Sequence, residues 1–166
     1  MSGVQLVFGY GSLPAERGGT RCRLRDHRRD WDVAMDNRET IPGYKIYVDP
    51  QTGEQPPVHV AYLSIAPAPG ECVEGVAFPV TDGQLAALDS RERNYDRHDV
   101  THLIDVELGG RVWAYVGSAD GRRRLADARR RGVAVVARGY LEKLPGAVVV
   151  PPDLPVRALL RRDVGA

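Results

Sequence analysis

The chain has 166 residues, 43% hydrophobic and 27% charged, with a formal net charge of +1. That balance excludes a disordered chain, and a near-neutral charge gives no global attraction to nucleic acid or acidic lipid. No apolar run approaches the ~20 residues a bilayer crossing needs, and Met1 to Gly9 lacks the basic start and cleavage-site spacing of a signal peptide, so the expectation is a cytoplasmic protein without membrane association. The length fits one domain over 1–166, with 151–166 as a carboxy-terminal tail.

The elements follow in chain order. Val4 to Phe8 is a short apolar run closed by Gly9-Tyr10-Gly11-Ser12, which reads as a buried strand feeding a loop. Arg21 to Met35 reads as a strand that starts polar. Asp36 to Pro57 is loop-like, rich in proline and glycine pairs. Val58 to Ile65 and Val73 to Val80 read as strands separated by a turn at Ala66-Pro67-Ala68-Pro69-Gly70. Thr81 and Gln84 then have capping-box spacing, which starts a helix expected to end near Asn94. Val100 to Leu108 alternates as a strand, and Gly109-Gly110 signals a hairpin into a strand at Arg111 to Val116. Ala119 to Gly132 reads as a solvated helix, Ala134 to Leu144 as a second helical segment, and Pro151 onward as a proline-broken tail. Strands outnumber helices, so the predicted class is α+β: a small mixed β-barrel with a few peripheral helices.

Five groups of residues bear on chemistry. Leu85, Leu88 and Glu92 are spaced i, i+3, i+7, which places Glu92 on the apolar stripe of its helix with Asp89 beside it. A carboxylate there is a general base of raised pKa, or it pairs with Arg91, Arg93 or Arg97 near the helix end. In Phe8-Gly9-Tyr10-Gly11-Ser12-Leu13, two glycines allow either a plain tight turn or a row of backbone N–H groups facing an anion. It is neither a nucleotide loop nor a Gly-x-Ser-x-Gly elbow. His98 and His102 have helical zinc spacing, but on a strand they lie about 13 Å apart, so no metal site is expected and His102 reads as a core histidine. Cys22 and Cys72 stand alone, which argues against a disulfide framework. The arginine triplets at 122–124 and 129–131 contain no aromatic residue for stacking on bases and read as a solvated helix face, so no nucleic-acid partner is expected.

Together these segments resemble the γ-glutamylcyclotransferase superfamily, its ChaC-like and AIG2-like branch. Val7-Phe8-Gly9-Tyr10-Gly11-Ser12-Leu13 is similar to the amino-terminal signature. Leu88-Asp89-Ser90-Arg91-Glu92-Arg93-Asn94-Tyr95 resembles the second signature, in which a Leu-Asp pair precedes the catalytic glutamate and a tyrosine follows. Gly75 to Phe78 and Val112 to Val116 resemble the strands on either side of it, and Tyr140 to Gly146 the late segment that closes the pocket. Pro14 and Ala15 depart from the ChaC-type continuation, and Leu13 stands where members acting on γ-glutamyl amino acids carry asparagine.

The resemblance implies cyclisation of a γ-glutamyl peptide or γ-glutamylamine to 5-oxoproline with release of the free amine. It implies Glu92 as general acid/base, and substrate contacts from Phe8, Gly9, Tyr10, Gly11, Ser12, Leu13, Tyr95 and Tyr140. The implied partner is a small γ-glutamyl molecule, with no cofactor and no metal. The alternative is a non-catalytic small-molecule-binding module on the same fold.

Overall fold

The protein is described by a computed structural model covering residues 3–12 and 18–165. Its described part falls into two compact units. One is built from the chain up to Asp30 with Leu63–Gly117, the other from Trp31–Tyr62 with the chain from Ser118 onward. Two long strands, β2 (Thr20–Asp36) and β4 (His59–Val80), contribute to both.

In the first unit β1 (Gln5–Gly9) is central. It pairs antiparallel with the end of β4, from Gln5 opposite Val80 to Gly9 opposite Val76. On its other edge it runs parallel to β6 (Arg111–Gly117). β6 pairs antiparallel with β5 (Tyr95–Asp99). A central strand is covered on both faces, which is why β1 reads as an almost unbroken apolar run. Leu6 and Phe8 enter one core with Cys22, Leu24, Ile65 and Val112. Val7 points the other way, into a core with Phe78, Val80, Tyr115 and the buried face of α1 (Asp82–Arg91).

The second unit holds the start of β4 beside β7 (Ala134–Ala137), which is parallel to the short β8 (Val156–Arg157). A separate two-stranded sheet pairs β3 (Lys45–Val48) with β9 (Leu160–Asp163). Helix α2 (Ala119–Arg131) begins on a Ser118 cap and ends at Gly132, whose φ of 68° is the left-handed geometry glycine supplies at a helix end. A short α3 (Arg138–Glu142) follows β7.

The class is α+β with few helices, as expected. The strands, however, form the open path β5-β6-β1-β4-β7-β8, with β2 against β4, and do not close as a barrel. The last strand on that path has only two residues and follows Pro155, so it offers almost no ladder for closure.

Other differences are local. Segment 66–70 is not a turn but the middle of the 22-residue β4. Val100 to Leu108 is not a strand: a 3-10 turn at Thr101–Leu103 interrupts it, and β5 precedes it. Ala134 to Leu144 is a buried strand and then a short helix. The loop after Asp36 contains β3, and the tail contains β8 and β9.

Candidate functional site

The loop signature begins where β1 ends. Gly9 lies opposite the close approach of Gly75, where an added Cβ would collide with the Gly9 carbonyl oxygen and the Phe8 ring. Phe8 and Tyr10 face inward, at 1% and 7% exposure. The Tyr10 hydroxyl donates to the Tyr115 carbonyl, and the Tyr10 carbonyl accepts from Arg29 Nη1 at 3.1 Å. Gly11 and Ser12 are half-buried. Leu13, the last residue of the signature, lies outside the described residues. With its aromatic side chains turned into the core, this segment has mainly backbone to offer a ligand.

The second signature lies on α1. Its start is the expected capping box: Thr81 Oγ1 accepts from the Gln84 N–H at 3.1 Å, and Gln84 Oε1 accepts from the Thr81 N–H at 2.9 Å. Leu85 and Leu88 are the buried face. The helix stops earlier than the expected Asn94, so Glu92 is its C-cap, with φ −87° and ψ 63°. There its N–H donates to the Leu88 carbonyl at 2.8 Å, and its carbonyl accepts from the Tyr95 N–H at 3.1 Å. Its side chain belongs to a half-buried residue. Tyr95 is also half-buried, and its hydroxyl donates to the Leu63 carbonyl at 2.7 Å.

One turn before Glu92, Asp89 holds together two strands that sequence reasoning did not link to it. Arg97 on β5 donates Nε to Oδ1 at 2.9 Å and Nη2 to Oδ2 at 3.2 Å. Tyr115 on β6 donates its hydroxyl to Oδ1 at 2.8 Å. The Arg97 guanidinium lies 4.2 Å from the centre of the Trp113 ring, a cation–π arrangement. Trp113 Nε1 donates to Gln5 Oε1 at 2.8 Å, and the Gln5 amide donates to Asp82 in the first turn of α1. An open depression of about 340 Å³ is lined by Gln5, Asp82, Leu85, Ala86, Asp89, Arg97 and Trp113. Burial, and then the hydrogen bond to Asp89, push the Tyr115 phenol well up, and the Glu92 carboxylate adds in the same direction. Tyr115 is therefore a lasting donor and not a titrating group at neutral pH.

Tyr140 belongs to the second unit, on α3. Its ring makes edge contacts with Trp31 at 6.1 Å and Tyr62 at 4.9 Å between centroids. His102 is exposed on the 3-10 turn, a correction to the core position expected from the alternating pattern. Among the described residues no group of three or more His, Cys, Asp or Glu is arranged to hold a metal ion. The arginines of α2 are engaged locally: Arg122 with Asp32, Arg123 with Asp120, Arg129 with Asp153, and Arg130 and Arg131 with Asp127. No helix of the described residues is long and apolar enough to cross a membrane.

No curated protein matches the sequence. Among solved structures, a protein titled gamma-glutamyl cyclotransferase is similar at 20% identity and a TM-score of 0.45, over 69% of this chain and 67% of that one. A protein from Homo sapiens described as uncharacterized is similar at 22% identity and a TM-score of 0.44, over 68% of this chain and 66% of that one. The profile of a family described as "Gamma-glutamyl cyclotransferase, AIG2-like" matches residues 7–135, a span that takes in the last three residues of β1, all of α1 and the start of β7. The chain thus belongs to the gamma-glutamyl cyclotransferase, AIG2-like family.

Proposed function

We propose that the protein converts a γ-glutamyl peptide or γ-glutamylamine to 5-oxoproline and a free amine, with Glu92 as general acid/base. The observation that carries this reading is convergence on one residue. The Tyr115 carbonyl anchors Tyr10 at the head of the Gly9–Ser12 segment, while the Tyr115 hydroxyl donates to Asp89, three residues before Glu92 in the second signature. The two signatures are thereby tied to the same point of β6.

The reaction asks little else of the protein. The substrate's α-amino nitrogen attacks its own γ-carbonyl carbon, forming the ring C–N bond. Both groups share one molecule, so holding a folded-back conformer supplies much of the rate. Glu92 takes a proton from the attacking nitrogen. The bond from the γ-carbon to the amine then breaks, and Glu92 returns the proton to the departing nitrogen. Backbone N–H groups of the Tyr10–Ser12 segment stabilise the oxyanion or hold the α-carboxylate. Tyr95 supplies an aromatic contact expected of the pocket, and Phe8 supports the segment from behind.

Glu92→Gln keeps the side chain's length and removes its proton acceptor. Release of 5-oxoproline should fall by roughly 10²-fold or more, with little change in binding of the γ-glutamyl compound. Mass detection of 5-oxoproline from a panel of γ-glutamyl dipeptides, glutathione and γ-glutamylamines is the measurement. A folded Glu92→Gln protein with undiminished turnover removes Glu92 as the base. A wild-type protein that binds panel members without releasing 5-oxoproline favours the binding module.

A further inference from the structure

Helix α1 has only ten residues, and the residue assigned to the chemistry sits at its end, where helix carbonyls lack intrahelical partners and the chain frays. Two buried leucines hold the helix against the core, but an apolar contact is non-directional and permits the last turn to shift. Directional contacts are made on either side of them. Asp82 in the first turn receives the Gln5 amide from β1. Asp89 in the last turn receives three hydrogen bonds from β5 and β6. Tyr115 is the shared member, because its hydroxyl meets Asp89 while its carbonyl meets Tyr10.

We propose that Asp89 is a positioning residue: through Tyr115 and Arg97 it fixes the last turn of α1, and so Glu92, in register with the Tyr10–Ser12 segment. The proposal rests on the reading of Glu92 given above. Asp89 touches no reacting atom and transfers no proton. Its side chain is 40% exposed and that of Arg97 28%, so the ion pair adds little to global stability while still fixing direction. A displacement of about 1 Å in a group that must meet a substrate atom can lower turnover by as much as 10²-fold. Loss of Asp89 should therefore lower turnover by far more than any accompanying fall in the folded fraction.

The test compares wild type, Asp89→Ala, Asp89→Asn, Tyr115→Phe and the Asp89→Ala/Tyr115→Phe double variant. Two readouts are taken on each: 5-oxoproline release from the panel compound that wild type turns over fastest, and amide hydrogen exchange over 89–95 and 10–12. Asp89→Ala should lower kcat by roughly tenfold or more with KM within about twofold, and should lose exchange protection in both segments. Asp89→Asn retains an oxygen that accepts from Tyr115 and should recover most of kcat. The double variant should be hardly worse than Asp89→Ala, because both changes cut one link. Unchanged kcat per folded molecule overturns the proposal, as does exchange that changes in only one segment. If wild type releases no 5-oxoproline from any panel compound, the catalytic reading of Glu92 fails. The exchange data then still decide whether Asp89 couples the two segments.

Discussion

Asn37 has no exposed surface, yet its side chain serves three backbone groups. Its amide donates to the carbonyls of Tyr47 at 2.9 Å and Pro56 at 3.0 Å, and its oxygen accepts from the Tyr47 N–H at 2.8 Å. One buried side chain thus ties β3 and the end of the proline-rich loop to the end of β2. Asn37→Asp is nearly isosteric but replaces two donors with an acceptor facing two carbonyls. We expect destabilisation of about 3 kcal/mol or more, because a buried polar group is left opposed and unpaired. Urea unfolding at neutral pH measures it, and a loss below about 1 kcal/mol would contradict this role. In the sequence Asn37 is one polar residue in a loop-like stretch; its partners lie 10 and 19 positions away, beyond what local pattern can signal. The same limit hid the link from Asp89 to Arg97, since an arginine in so arginine-rich a chain carries no signal of its own. Glu92 could be singled out from local pattern alone, its spacing from Leu85 and Leu88 and its signature neighbours, but the helix ends one residue before it and leaves it as the C-cap.

At the level of elements, α1 shows what short-range pattern can specify. The Thr81–Gln84 spacing predicted reciprocal capping, and both hydrogen bonds form. Thr81→Ala removes the acceptor for the Gln84 N–H and should cost about 1 kcal/mol, a melting shift of about 2–4 °C at this chain length. Scanning calorimetry on the two proteins checks it; an unchanged melting temperature would mean the core contacts alone hold the helix start.

The misread elements fail for identifiable reasons. Pro67, Pro69 and Gly70 look like a turn, yet Pro67 and Pro69 are exposed and Ala68 between them is buried, so the period of two continues through β4. Prolines two apart withhold their N–H groups from one edge of a strand, and a strand unpaired on that edge tolerates both. Val100 to Leu108 alternates in sequence, but Asp99 Oδ1 accepts from both the N–H and the hydroxyl of Thr101 and curls the chain. In β7 all four residues are buried, and a wholly apolar run of that length has no period to separate strand from helix.

For the molecule as a whole, acid should be the weak side. The chain carries 23 basic and 22 acidic residues, and nearly all of the basic ones are arginines, which stay charged at any working pH. Protonating carboxylates therefore leaves cations without partners and builds net positive charge. Two groups of the second unit contribute to that loss in different pH ranges. His59 is 4% exposed, its Nδ1 has no hydrogen-bond partner, and burial pushes its pKa down. The charges around it are mixed: Asp36 from β2, with Oδ2 3.7 Å from Nε2, Arg38 just after that strand, and Asp127 and Arg131 from α2. Because the folded pKa lies below the unfolded value of about 6.5, the unfolded chain binds the proton first. The contribution of neutral His59 is complete above that value and is lost as pH falls through the lower folded one.

Asp36 follows at lower pH. Hydrogen bonds from the Arg38 side chain, with burial opposing, hold its carboxyl down from 3.8 to about 2. Its share of stability, roughly 1–2 kcal/mol once the exposed Arg38 guanidinium is allowed for, is present above the unfolded value and lost as pH falls toward 2. Stability measured by urea unfolding should thus decline in two stages, first below about pH 6.5 and again below about pH 4. His59→Leu should flatten the first stage and leave the second. Asp36→Asn should reduce the second, which Asp49, Asp99 and Asp153 also feed because their carboxyls are held down too, at the cost of a lower plateau at neutral pH. Wild-type stability that stays level from pH 7.5 to 5 would show that His59 reaches a proton without disturbing the fold, and the first stage would then be withdrawn.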